Sequence, residues 1–250
     1  MEDGMERFRS GRTSSGSEVV DSLLEGGFEN DVITTIYGPA GSGKTNIVLN
    51  ALTDQISKDK TVIYIDTEGS FSVERARQLC PKFKEYARNL LFLKPTTFEE
   101  QKFAFEKLEK AIAKKEDIAF IIIDSIAMLY RLEIGKNQDV YTINRELGVQ
   151  LGRLTEIARK RLIPVLITNQ VYADFDSTQK DAVKMVGGDL LKYSSKCLIE
   201  LKKASHGVRV AVLKKHRSIP EGKEAAFTIR SEGLVKTELT EEPAQDDELI

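Results

Sequence analysis

Short apolar runs recur along this chain, and between them lie stretches whose apolar positions repeat at helical spacing. Val32–Tyr37, Thr61–Ile65, Leu90–Leu93, Ile118–Ile123 and Ile163–Thr168 read as strands, the longer ones apolar enough to be buried on both faces. Lys44–Ser57, Val73 to about Ala87, Phe98–Lys114 and Val140–Lys160 read as the helices between them. Strands alternating with helices in this way predict an α/β fold, a mostly parallel twisted sheet flanked by helices. Past residue 186 the texture changes. Cys197–Leu201, Val208–Leu213, Ala225–Ile229 and Leu234–Thr237 read as short strands joined by tight turns, an antiparallel extension of the same sheet. The expected organisation is a flexible segment over 1–18, one core over 19–239 and an acidic disordered tail over 240–250. No internal repeat is present.

Composition narrows this picture without changing it. The 250 residues, 41% of them apolar, suffice for one well-cored domain. Lys and Arg (37) nearly balance Asp and Glu (39), so contact with nucleic acid has to come from locally placed basic loops. Two isolated cysteines, Cys80 and Cys197, support neither a disulfide framework nor a zinc site, which points to a reducing, cytoplasmic location. The start has no signal-peptide pattern, and no apolar stretch approaches the roughly 18 residues of a membrane span.

The chemistry begins at Gly38-Pro39-Ala40-Gly41-Ser42-Gly43-Lys44-Thr45, a complete G-x-x-x-x-G-K-[ST] between a predicted strand and a predicted helix. Its glycines let backbone N–H groups and the following helix N-terminus surround a phosphate. Lys44 is placed for the β- and γ-phosphates of ATP and Thr45 for Mg²⁺, with Asn46 next on the helix. Asp124 closes the run Ile118–Ile123, where a carboxylate can hold the water shell of that Mg²⁺; the ordinary alternative is a helix cap. Asp66-Thr67-Glu68-Gly69 follows another strand. There Glu68 is placed to activate water, or else to cap the next helix, while Asp66 reads as structural. Gln170, after Leu166-Ile167-Thr168-Asn169, is placed to sense the γ-phosphate, or else is a plain surface amide.

Together these segments, with Gly187-Gly188-Asp189, resemble in order and spacing the core of the RecA/RadA recombinase family over about residues 15–238. The lack of that family's extra N-terminal helical domain makes the chain similar to its short archaeal branch, RadB. The resemblance implies a RecA-like P-loop NTPase core, ATP and Mg²⁺ as cofactors, and Glu68, Asp124 and Gln170 in the roles given above. It further implies Arg75 stacked on adenine and two DNA-facing loops, 131–140 and 172–186, with Arg131, Lys136, Lys180 and Lys184 as candidate phosphate contacts and Gly187-Gly188 as a hinge. Single-stranded or branched DNA, a RadA-type recombinase and a junction-resolving endonuclease are the implied partners, and weak self-association the implied assembly.

Two departures from the family pattern stand out. The Phe-x-x-Ala segment that links neighbouring subunits has only Phe8-Arg9-Ser10-Gly11 as its counterpart, and glycine offers the pocket no methyl group. Where RadA-like proteins carry an acidic cap, this chain has Lys214-Lys215-His216-Arg217. Lys215 and Arg217, two apart on a strand, would share a face and supply charge to a neighbour's γ-phosphate, or else form a solvent-facing edge. Three functions fit the sequence: an accessory ATP- and DNA-binding recombination and repair protein with weak ATPase activity, a DNA-stimulated ATPase that promotes strand exchange, and a KaiC-like signalling ATPase.

Overall fold

The computed structural model describes residues 11–136, 139–173 and 183–238. Phe8, Arg9, Ser10, Lys180 and the acidic tail at 240–250 lie outside the described residues. Strands β1 (Arg12–Thr13) and β2 (Phe28–Glu29) form a small antiparallel pair. The main sheet is built from β3 (Ile33–Tyr37), β4 (Thr61–Asp66), β5 (Leu90–Leu93), β6 (Ile118–Asp124), β7 (Val165–Asn169), β10 (Cys197–Lys203), β11 (Arg209–Lys215), β12 (Glu224–Arg230) and β13 (Gly233–Lys236), in the order β13-β12-β11-β10-β3-β7-β6-β4-β5. From β10 to β5 the strands are parallel; β11, β12 and β13 add antiparallel neighbours at the other side. This is the expected fold class.

Side-chain parity explains the apolar runs. Val62, Tyr64, Phe120, Ile122 and Leu166 point to the face covered by α1 (Glu18–Leu23) and α2 (Lys44–Ser57). Their neighbours Ile63, Ile65, Ile121, Ile123, Val165 and Ile167 point to the face covered by α5 (Phe98–Lys114) and α7 (Val140–Arg161). A strand sandwiched this way has no polar face to show. The helices start where the sequence supplies caps: Thr97 accepts the Glu100 N–H at 3.1 Å and Asp139 accepts that of Thr142 at 3.0 Å.

Several expectations need correction. The single helix expected over Val73 to Ala87 is two, α3 (Val73–Leu79) and α4 (Phe83–Tyr86), because Pro81 forces Cys80 into an extended conformation (φ −139°, ψ 96°). The folded part begins before Val19. Arg12–Thr13 pairs with Phe28–Glu29, and Ser15 and Ser17 are buried against α1, where Asp21 accepts the Ser15 N–H at 2.8 Å. The stretch read as a DNA-facing loop from Arg131 is helical as far as Lys136, in α6 (Met128–Lys136). The second such stretch opens as a ribbon of β8 (Val171–Ala173) and β9 (Val183–Met185), followed by α8 (Gly188–Ser194).

Candidate nucleotide site

The P-loop, the Asp66–Phe71 turn, Asp124 and Gln170 all lie at the carboxyl edge of the parallel strands, where open α/β sheets bind ligands. Residues 38–43 carry the chain from β3 into α2. Gly38 has φ 154°, and a Cβ there would lie 2.4 Å from the Leu201 carbonyl oxygen, so the turn is closed to any other residue. Gly43, at φ 105°, is the residue from which α2 starts. A cleft of about 550 Å³ opens beside them, lined in part by Ala40, Gly41, Gly43, Lys44, Thr45, Asn46, Glu68 and Gln170. The structure thus brings together most of the residues expected to hold phosphate and to act on it.

Lys44 is 8% exposed and folds back to donate to the Gly38 and Pro39 carbonyls at 2.8 and 3.0 Å. Burial lowers its pKa, against the raising influence of Glu68 and Asp124. Neutral carbonyls are weak partners for a buried ammonium, and a phosphate is a stronger one. Glu68 accepts a hydrogen bond from Gln170 Nε2 at 3.1 Å. Its pKa is raised, first by burial and then by the charge of Asp124. The expected base and the expected sensor therefore touch.

Asp66 and Asp124 stand side by side across β4 and β6, yet they do different work. Asp66 accepts the N–H groups of Gly69 and Ser70 at 2.8 and 3.1 Å and shapes the turn that carries Glu68. This is the structural role read from the sequence. Asp124, 1% exposed, accepts from three hydroxyls among the described residues: Tyr64 at 2.7 Å, Ser70 at 3.0 Å, and Thr168. Asp124 does not line the cleft; Ser70 does, and stands between the two. The peptide bond from Asp124 to Ser125 is cis.

The remaining expected residues divide sharply. Arg75 donates from Nε to Asn46 at 2.8 Å and from Nη1 to the Ser231 carbonyl at 3.1 Å, tying α3 to α2 and to the β12–β13 turn beside the P-loop. Arg131 is exposed on α6 and shares a small hollow with Ser125, Asn169 and Gln170. Lys136 is the exposed last residue of α6, and Lys184 sits in β9 opposite Tyr172. The ribbon carrying Lys184 is fastened where the Val186 N–H meets the Gln170 carbonyl at 3.2 Å.

Lys215 and Arg217 lie elsewhere. Lys215 ends β11 at the amino edge of the parallel strands and donates to the Lys192 and Ser195 carbonyls at 2.7 and 2.8 Å. Arg217 is past the end of that strand, so the two do not share a strand face. It holds Glu29 and Asp31 in ion pairs, the first at 3.0 Å. Neither residue joins the nucleotide cleft of its own chain.

Sequence reasoning missed Ser70, Tyr64 and Thr168 around Asp124, and Lys203 and Arg209 beside the P-loop. From sequence Lys203 was legible only as a turn residue and Arg209 only as part of the strand Val208–Leu213, because strand order is what carries that hairpin to the P-loop.

Comparison with known proteins agrees with the geometry. The Rad51 family model matches residues 7–237. The DNA repair and recombination protein RadB of Methanobrevibacter smithii is 41% identical over 89% of this chain and 94% of its own length. That of Methanococcus maripaludis strain C7 is 45% identical over 86% and 97%. A solved structure described as the crystal structure of the RadB recombinase superposes with a TM-score of 0.76 at 37% identity, covering 90% of this chain and all of that one. With the P-loop, the Asp66–Phe71 turn and the β7 edge in one site, and matches that run nearly end to end, this chain belongs to the Rad51 family and, within it, to the RadB group.

Proposed function

We propose that the protein binds Mg²⁺-ATP at the carboxyl-edge cleft, binds DNA through the α6 and β8–β9 segments, and serves recombination and repair as an accessory protein with weak ATPase activity. The observation that carries this reading is the contact of Glu68 with Gln170, because it joins the nucleotide cleft to the base of the ribbon that bears Lys184. The close-packed glycine turn and a lysine held only by carbonyls suit a polyphosphate. A hydroxyl at Thr45 and a buried carboxylate at Asp124 suit Mg²⁺, which keeps most of its waters and takes few protein ligands. When bound, the ion neutralises phosphate charge.

Each residue then has a definable task. Lys44 exchanges the Gly38 and Pro39 carbonyls for phosphate oxygens. Glu68, its pKa raised by burial, takes a proton from water, and Gln170 orients that carboxylate. Asp124, held by the hydroxyls of Tyr64, Ser70 and Thr168, would act on Mg²⁺ from beneath Ser70, which lines the cleft. Arg75, held to Asn46 of α2 and to the β12–β13 turn, would stack on the base. Arg131, Lys136 and Lys184 would meet the phosphates of single-stranded or branched DNA. Assistance to a RadA-type recombinase or a junction-resolving nuclease fits a chain whose Phe8–Gly11 segment lacks the alanine that self-assembly uses. To serve a neighbouring molecule's nucleotide, Arg217 would have to leave Glu29 and Asp31, and Lys215 the Lys192 and Ser195 carbonyls.

The test is steady-state ATP hydrolysis with and without single-stranded DNA, beside a salt-dependent DNA-binding assay. Slow hydrolysis little changed by DNA, together with salt-sensitive DNA binding, is the expected pair. Strong stimulation by DNA would favour a strand-exchange enzyme, and no DNA binding at low salt would remove the recombination role.

A further inference from the structure

The β10–β11 hairpin rises past the P-loop. Ile199 and Leu201 on β10, and Ala211 and Leu213 on β11, all face α2. Continuing the same parity to the hairpin's end brings Lys203 and Arg209 onto that face, directly opposite each other in the register. Like charges opposite each other on neighbouring strands are unfavourable, so the pair needs another reason to be there. Other lysines of the hairpin have ordinary partners: Lys202 and Lys214 both approach Glu200, at 4.0 and 3.7 Å.

Lys203 and Arg209 form no ion pair with any carboxylate of the described residues. Arg209 lines the nucleotide cleft; among the described residues its buried Nε has no partner, and Nη1 donates to the carbonyl of Gly207. Lys203 leans over the glycine turn, its Nζ 3.3 Å from where a Cβ on Gly41 would lie. It is also near enough to Lys44 to help lower that residue's pKa. The tip that joins them is a fixed turn, closed by Ala204 N–H to Val208 O at 2.9 Å.

We infer that Arg209, with Lys203 beside it, is a second phosphate-binding element of this chain, gripping the polyphosphate of its own nucleotide from the side opposite Glu68. The inference rests on the P-loop reading. It explains why Lys44, Lys203 and Arg209 gather although like charges repel, and why Arg209 has a buried N–H without an acceptor among the described residues. An anion of high charge supplies acceptors to all three.

The experiment is calorimetric titration of the full chain with Mg²⁺-ATP and Mg²⁺-ADP, beside Arg209→Ala, Arg209→Lys, Lys203→Ala and Lys44→Ala. Losing a charge-assisted hydrogen bond should weaken both nucleotides about tenfold or more in Arg209→Ala. The expected loss is smaller in Lys203→Ala and partly restored in Arg209→Lys. Without nucleotide, Arg209→Ala should melt no lower than the parent, since it relieves repulsion, and its affinity for single-stranded DNA should be unchanged. If Lys44→Ala loses nucleotide and Arg209→Ala keeps parental affinity, the hairpin is no phosphate ligand. If Arg209→Ala instead weakens DNA binding with nucleotide affinity intact, the two cations serve a nucleic-acid backbone and the inference is overturned. Parental affinity in Lys44→Ala as well would locate the failure in the P-loop reading itself.

Discussion

Two clusters of basic side chains, one at each edge of the parallel sheet, are treated in opposite ways. At the amino edge Arg12, His216 and Arg217 surround the buried Glu29, and Arg217 also grips Asp31. At the carboxyl edge Lys44, Lys203 and Arg209 gather beside the glycine turn, with backbone carbonyls for Lys44 and Arg209 to hold and no ion-paired carboxylate among the described residues. An ion-paired cluster is how a fold tolerates buried charge, whereas cations gathered without ion-pair partners leave positive potential that favours an anionic ligand. Similar residue types therefore mean packing at one edge and binding at the other.

Replacing Glu68 tests the binding edge most strongly. Glu68→Gln is expected to retain nucleotide affinity while hydrolysis falls roughly a hundredfold, the scale of a lost general base. Its stability should move the other way. The folded pKa of Glu68 is raised, so ionisation costs the fold stability as pH rises through that pKa, and Glu68→Gln should melt higher than the parent at pH 7 without nucleotide. The advantage should fade towards pH 4. Unchanged turnover would mean that another group activates water.

The amino edge should respond in stability alone. Arg217→Ala leaves Glu29 short of its strongest partner and is expected to lower unfolding free energy by about 1–3 kcal/mol, read by denaturant midpoint. Nucleotide affinity of the isolated chain should not change. A large loss of affinity with intact stability would place Arg217 in the site after all.

The smallest effect concerns His216. Burial lowers its pKa, although Glu29 opposes this, with Arg12, Arg217 and Glu25 the other charges that act on it. Its Nδ1 accepts the Ser218 and Ile219 N–H groups, both at 3.1 Å, which protonation would break. Stability is thus lost as pH falls below the unfolded value of about 6.5. His216→Gln should shrink the drop in melting temperature between pH 7.5 and 5.5; an identical drop would show that His216 does not carry it.

Much of this was legible from the sequence, for stated reasons. The strands β3, β4, β6 and β7 announced themselves because both faces are covered, and the P-loop because its spacing is set by phosphate geometry. Asp66 against Asp124 was separable because one is followed by a turn and the other closes an apolar run. What was not legible depends on long-range placement. The six-residue α1 is too short for a periodic signal, although Val19, Val20, Leu23 and Leu24 are all buried. Helix α6 was hidden by reading its residues as a loop. Lys215 and Arg217 looked like a pair until the strand ended between them, and Lys203 and Arg209 looked like nothing until β10 took its place beside β3.

The central claim, that the carboxyl edge is a nucleotide site built on Lys44, is tested most directly by titrating the parent chain and Lys44→Ala with Mg²⁺-ATP and comparing affinities at matched folded fraction. A loss of roughly tenfold to a hundredfold in Lys44→Ala, with the melting temperature of the unliganded protein nearly unchanged, is the expected result. Equal affinity in the two proteins would contradict the account.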